Sequence, residues 1–261
     1  MFTLQKHSNY GTSTPAVART AIQGRDILQL IACPDTNRER ALAVLIELQR
    51  HLLKCVEIHD GLAIEIAEGQ SEFSARSIAA QPVSHVLLPG IGDLESRAES
   101  FLQSAKLALA ATGNIFEPFF GHEYGHKYNL ICAWADKEFG ANDQFATVLR
   151  SWNPFAARIV NMRNCVDHPK TESGAPLVIV NFNLGPTYEL VAPGWGLTGE
   201  SPQPILPDFK SIIEQTICLG ENVLVGIFYK LRSSDLFEIE EIPSDQRDSA
   251  CPKRLRVGLP S

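Results

Sequence analysis

Apolar residues recur at three- and four-residue intervals along most of the first two thirds of the chain. Shorter alternating runs appear only later, so a helical region is expected to precede a mixed one. Thr14 and Pro15 suit the cap and first position of a helix carrying Val17, Ile22, Ile27, Leu28, Leu30 and Ile31. That helix is expected to end near Cys33-Pro34, with Gly24 weakening it. Asp35 and Thr36 offer caps for a long second helix through Leu42, Leu45, Leu48, Leu52, Ile58, Leu62 and Ile66, with a break expected at Asp60-Gly61. His51 and His59 on it read as half-buried structural residues. Residues 70–90, with Pro82 and Pro89, read as a connection.

A third helix is expected from Asp93 through Ala111, with Leu94, Ala98, Phe101, Leu102, Ala105 and Leu109 inward. Another spans Glu123 to Phe139, with Tyr128, Ile131, Cys132 and Ala135 inward. Asp143 caps a short helix to Arg150, and Asn153-Pro154 restarts it as cap and first position. Pro169 stops this helix, since it lacks an N–H and biases the preceding residue out of the α region.

After residue 172 the texture changes. Leu177–Val180 and Thr187–Val191 read as a hairpin turning at 183–186, followed by a Gly/Pro-rich loop from Pro193 to Pro207. In that loop Gly194-Trp195-Gly196 and Thr198-Gly199-Glu200 read as structural turns, with Trp195 packed on the sheet. A helix opens at Asp208 and runs to Leu231, and Leu236–Ile242 and Leu255–Val257 complete the set as strands. The predicted fold is mainly α, a helical bundle, with a small antiparallel sheet and one more helix at the C-terminal side, α+β as a whole. Residues 1–172 are its core and 173–261 an extension packed on it.

Hydrophobic residues at 44% and charged residues at 20% fit a chain with a substantial core. The net charge of −7 argues against an indiscriminate nucleic-acid binder. The balance reverses locally, because residues 144–171 carry Arg150, Arg158, Arg163 and Lys170 against Asp167 alone. Six cysteines at irregular spacing, with no C-x-x-C, read as reduced thiols. With no leader pattern and no run of 18 apolar residues, the expectation is a cytoplasmic chain without a membrane span.

The chemistry concentrates at Asn161–Lys170, which reads Asn-Met-Arg-Asn-Cys-Val-Asp-His-Pro-Lys. Arg163 follows Ile159 by four residues and borders the stripe of Phe155, Ile159, Met162 and Val166. A guanidinium there needs a partner or a polar cleft. Asp167 at i,i+4 is one such partner, with His168 then only capping the helix end. An ideal helix would turn His168 about 500° from Arg163. A frayed last turn lets the two converge.

The segment Arg163-Asn164-x-x-x-His168-Pro169 resembles the signature of the HEPN superfamily. Glu99-Ser100-Phe101-Leu102-Gln103-Ser104-Ala105-Lys106 resembles the helix that precedes it there, and the likeness covers roughly residues 95 to 185. The resemblance implies a HEPN-like helical core and a metal-independent endoribonuclease working at a homodimer cleft. In it Arg163 stabilises the scissile phosphate and His168 exchanges a proton, with Asn164 and Asp167 auxiliary. It also implies RNA as substrate, no cofactor, and an antitoxin or other partner protein in toxin–antitoxin or antiviral systems. The alternative it carries is a non-catalytic dimerisation or nucleotide-binding module.

A second motif competes. His122-Glu123-Tyr124-Gly125-His126 is a literal H-E-x-x-H, which on a helix would place two imidazoles on one face for zinc, with Glu123 as base. Glu138 is the available third ligand. Its surroundings are poor for a zinc protease, and the competing expectation is a polar helix start. Lys253, Arg254 and Arg256 alternate with Leu255 and Val257 and read as one solvated strand face.

Overall fold

The computed structural model describes residues 9–79, 86–167, 176–232 and 234–259, with side chains through 75 and 166 at the first two breaks. Helix accounts for 63% and strand for 10%, a mainly α chain with small antiparallel sheets, as the periodicity predicts. The helices are α1 Pro15–Val17, α2 Gln23–Leu28, α3 Asp35–Ala79, α4 Leu94–Asn114, α5 Glu117–Phe120, α6 Tyr128–Phe139, α7 Gln144–Asp167 and α8 Ile205–Leu231. The strands are β1 Leu177–Val180, β2 Asn183–Leu184, β3 Leu190–Val191, β4 Gly194–Leu197, β5 Gln203–Pro204, β6 Glu238–Glu241 and β7 Leu255–Gly258. They divide between two compact units, neither contiguous in sequence. One comprises Met1–Leu53, Ala105–Arg158 and Glu214–Ser261, and the other Lys54–Ser104 and Ile159–Ile213.

In the first unit a π-helical segment, Ala18–Ile22, joins α1 to α2. Thr14 and Pro15 take the expected cap and first positions, without a side-chain cap bond. The wider π turn adds a residue to the local repeat. Arg19, Thr20 and Gln23 of this stretch are buried, at 5%, 2% and 1% exposure. Gly24 sits where a Cβ would meet Leu45 Cδ1 at 2.6 Å and Leu224 Cδ1 at 3.2 Å, so a side chain there would displace the Leu45 methyl. Phe116, Phe145 and Tyr128 fill the core, and Tyr128 shares a hydrogen bond with Thr112. The hairpin β6–β7 pairs Glu238 with Gly258 through Glu241 with Leu255, matching the two predicted strands.

The second unit is built around Trp195. Its ring is fully buried, edge-on to Phe101 of α4 at 6.2 Å and to Phe209 of α8 at 4.8 Å. Phe101 and Phe209 stack at 3.6 Å and 7°. The indole N–H donates to Asp208 Oδ2 at 2.8 Å, which removes the cost of burying it. Asn181 binds the backbone of Ile91 twice, accepting from its N at 3.2 Å and donating to its O at 2.8 Å.

Several boundaries differ from the sequence pattern, for identifiable reasons. No break occurs in α3 at Asp60-Gly61, because Cys55, Leu62 and Gly69 stay buried at seven-residue intervals. The roughly 1 kcal/mol cost of a mid-helix glycine does not outweigh a stripe held in phase. The same helix continues through Ala79 into the expected connection, since residues 70–79 contain no proline or glycine. Likewise α7 is one helix with Pro154 inside it, not two. Leu149 and Ala156 lie seven residues apart on one buried stripe, so packing holds the helix although the proline removes a donor.

The expected hairpin partner of Leu177–Val180 is also wrong. That strand pairs antiparallel with Gly194–Leu197, and Leu184 pairs instead with Leu190. The Gly/Pro-rich loop thus contributes two strands, in the sheet order β1-β4-β5. Finally, α8 passes the length and hydropathy test for a membrane span, with 56% of that window buried within the chain. It begins at Ile205, three residues before the expected Asp208.

Candidate functional site

Toward its end α7 turns Ile159, Met162 and Cys165 inward, at 0%, 3% and 2% exposure. Arg163 is half-buried and Asn164 exposed, so Arg163 borders the apolar stripe as its spacing predicted. Its Nε donates to Gln103 Oε1 of α4 at 2.8 Å. Asp167 is the last residue of α7; its side chain lies outside the described residues, as does His168.

Gln103 is exposed, on the far side of α4 from its buried neighbours Phe101, Leu102 and Ala105. The preceding turn of α4 is anchored by the Phe101 stack on Phe209 and by Cys55, whose thiol donates to the Phe101 carbonyl at 3.8 Å. Sequence periodicity could place Gln103 on the solvent face but not opposite Arg163, because inter-helix register is not a local property.

A second polar feature of the same unit is a cleft of about 400 Å³ lined by Lys54, Glu57, Glu65, Ser96, Arg97 and Ser100. Its charges are committed to one another: Lys54 to Glu57 at 2.8 Å, and Arg97 to Glu65 at 2.6 Å and to Asp93 at 2.9 Å.

The H-E-x-x-H segment is not helical, which overturns the zinc geometry expected of it. Gly121 ends α5 in the left-handed region at φ 72°, its N–H bonding to the Glu117 carbonyl at 2.9 Å. Gly125 is also left-handed, at φ 55°, and donates to Asn114 Oδ1 at 2.9 Å. The next helix begins only at Tyr128, so His122 and His126 do not share a helical face. His122 is exposed and lies against the rings of Tyr124 and Trp134, both at 5.6 Å. His126 is half-buried, and burial, aided by Lys106 and Lys127, lowers its pKa. Among the described residues no three of His, Cys, Asp and Glu converge as a metal-binding group, Glu138 included.

The most deeply buried charges lie in the first unit. Arg19 meets Glu221 with Nε at 2.9 Å and Nη2 at 2.7 Å, and pairs with Glu214 through Nη1. Gln23 donates to Glu221 at 2.8 Å, and its own carbonyl oxygen accepts from the backbone of Arg254 and Leu255, each at 2.7 Å. Arg254 adds a third donor residue to Glu221 at 2.8 Å. Burial alone would lower the pKa of Arg19, but Glu221 and Glu214 more than reverse that. This closed network fixes β7 to α2 and α8, a structural role. The C-terminal basic residues are correspondingly not a free face, since Lys253 pairs with Asp26 at 3.0 Å and Arg256 with Glu240 at 2.9 Å.

None of the six cysteines is in a disulfide among the described residues; Cys55, Cys132 and Cys165 are buried and Cys33, Cys218 and Cys251 half-buried. Burial pushes the Cys55 thiol well up, so it is an inert core group. His51 and His59 are half-buried on α3, as expected. No protein-family profile, curated protein or solved structure matches this chain.

Proposed function

We propose that this chain is a metal-independent endoribonuclease of HEPN type, using Arg163 and His168 in a cleft between two copies. The observation that carries the reading is the setting of Arg163. It is half-buried in the last turns of a long helix and held at Nε by a side chain from another helix. An oriented guanidinium at such a position suits a phosphate whose negative charge grows during the reaction. His168 follows the last residue of α7 in sequence and lies outside the described residues; the proton transfer is assigned to it by the resemblance.

In the proposed reaction His168 takes the proton of a ribose 2′-hydroxyl, whose oxygen then attacks the adjacent phosphorus. The P–O5′ bond breaks, the leaving oxygen is protonated, and the products are a 2′,3′-cyclic phosphate and a 5′-hydroxyl. Arg163 neutralises the charge on the non-bridging oxygens, with Asn164 as a further contact. A single Arg/His pair makes a small site; two pairs related by a two-fold axis make a phosphate cleft. The resemblance extends this to a cytoplasmic homodimer in a toxin–antitoxin or antiviral setting.

The net charge of −7 favours one competing reading, a non-catalytic dimerisation or nucleotide-binding module. The two part on cleavage of a labelled, partly structured RNA in EDTA by wild type, Arg163→Ala and His168→Ala. Cleavage lost in both variants is the expected result. A folded wild-type dimer that leaves the RNA intact would establish the module instead.

A further inference from the structure

We infer that the outer edge of β1 pairs antiparallel with the same edge of a second copy of this chain. Two three-stranded sheets then join into one of six strands, across a two-fold axis at Val178. The inference does not rest on the ribonuclease reading, and either can fail alone.

The ladder of this sheet determines which backbone groups stay open. Thr198 N donates to the Pro176 carbonyl at 3.1 Å, one position beyond the Leu177–Leu197 pair. Bonded and non-bonded pairs alternate in an antiparallel ladder, so Val178 and Val180 turn their N–H and C=O groups toward β4. Those of Leu177 and Ile179 point the other way, out of the sheet β1-β4-β5. Among the described residues no hydrogen bond reaches them.

The other edges are blunted. Ile205 N bonds the Pro193 carbonyl at 3.1 Å, so the outward residue of β5 is Pro204, which has no N–H to offer. In the hairpin β6–β7, the outward N–H of Leu255 donates to Gln23 Oε1 at 2.7 Å and that of Ile239 to the Tyr229 hydroxyl at 3.2 Å. Glu238, Glu240, Glu241 and Arg256 add charge there. The strand β1 has none of these devices. It reads Leu-Val-Ile-Val, none of the four is buried, and Val178 is 36% exposed.

The partner follows from symmetry and charge. Antiparallel self-pairing lays a segment on its own reverse, so a charged residue would face charge of the same sign. Residues 176–188 carry no charge. Within β1 one register uses both open residues of both copies, with Leu177 opposite Ile179 and Val178 opposite its own copy. It makes four main-chain hydrogen bonds and sets aliphatic side chains against each other at every pair. So short a contact falls below the area of about 1,000 Å² typical of stable complexes, and a reversible dimer with a Kd of about 10–100 µM is expected.

Two substitutions and one exchange pattern test this. Ile179→Pro removes an N–H that the ladder to β4 does not use, and with it two of the four intermolecular bonds. By sedimentation it should weaken the dimer about tenfold to a hundredfold. Val178→Lys sets two ammonium groups opposite each other at an exposed position and should weaken it about tenfold. Thermal melts check that both variants fold. Amide exchange read by NMR supplies a signature that does not depend on either variant. In the wild-type dimer the amides of Leu177 and Ile179 should be as protected as those of Val178 and Val180. On dilution below Kd only Val178 and Val180 should stay protected.

A wild type that is monomeric at every concentration would overturn the self-pairing, whatever strand of another protein the edge then took. A dimer in which Leu177 and Ile179 exchange freely, or one that folded Val178→Lys leaves unchanged, would overturn it too, because the contact would then lie on another face.

Discussion

Arg19 and Arg163 both lie beside apolar helix faces, and the chain treats them in opposite ways. Arg19 is 5% exposed, chelated by both oxygens of Glu221 and paired with Glu214. Arg163 is half-buried, and the acceptor at its Nε is the neutral amide of Gln103. Burying an ion with its counter-ions converts charge into a geometric lock, because removing any partner strands the rest away from water. Orienting an ion through an amide leaves that acceptor out of the charge balance. The first arrangement holds β7 to the helices; the second ties one side chain of α7 to the solvent face of α4. The lesson is that two arginines beside apolar helix faces can be accommodated by different acceptors, one by buried carboxylate and one in part by an exposed amide.

The strongest way to break this contrast is to remove Glu221. Glu221→Ala should cost about 3–5 kcal/mol, the usual penalty for leaving a buried charge without its partner. It should appear as a large drop in the urea midpoint. Arg163→Ala should cost about 1 kcal/mol or less, as expected of a part-exposed residue, and on the proposed ribonuclease reading it should also abolish RNA cleavage. Equal destabilisation by the two would mean that Arg163 is as structural as Arg19.

A smaller effect sharpens the same point. Arg254→Ala should cost about 1–3 kcal/mol, because it removes one donor from Glu221 while Arg19 and Gln23 still satisfy that carboxylate. A loss as large as that of Glu221→Ala would show that β7 docking, not the Arg19 pair, dominates the network.

The smallest effect is in acid. Burial raises the Asp143 pKa, but the Lys230 ammonium at 2.5 Å and the N–H groups of Ala146 and Phe145 more than offset it, so the pKa is lowered. A depressed carboxylate contributes stability that is present above the unfolded pKa near 3.9 and is lost as pH falls through the lower folded value. Thermal melts between pH 5 and pH 2 should therefore fall less steeply for Asp143→Asn than for wild type. Parallel curves would mean that the cap and ion pair add nothing.

Much of this was legible from local pattern. Asp143 caps α7 as read, its Oδ1 accepting from Phe145 N at 3.0 Å and Ala146 N at 3.2 Å. The paired strands β6 and β7 and the burial of Trp195 were likewise accessible. The H-E-x-x-H motif misled because its residue types match while its two glycines take left-handed backbone, and Gly121 stood in the sequence as a helix-end signal. Of the candidate site, Arg163 at the edge of the buried stripe could be read from a four-residue spacing. Gln103 could not, since nothing in α4 marks which of its exposed polar residues meets another helix.

By itself, then, the sequence determined what depends on short-range periodicity and end chemistry: a mainly helical chain, the cap of α7 at Asp143, and the strands near the C-terminus. Tertiary structure decided where local preference was outvoted. It carried α3 through Gly61 and α7 through Pro154, because each buried stripe stays in phase across the weak residue. The π segment at Ala18–Ile22 carries Arg19, which is held by the buried Glu221, 202 residues away in the chain. Tertiary structure also paired β1 with β4 across the nearer β2–β3 hairpin, and it brought Gln103 to Arg163. Each of these is a choice between long-range partners, and no window of consecutive residues contains both members of such a pair.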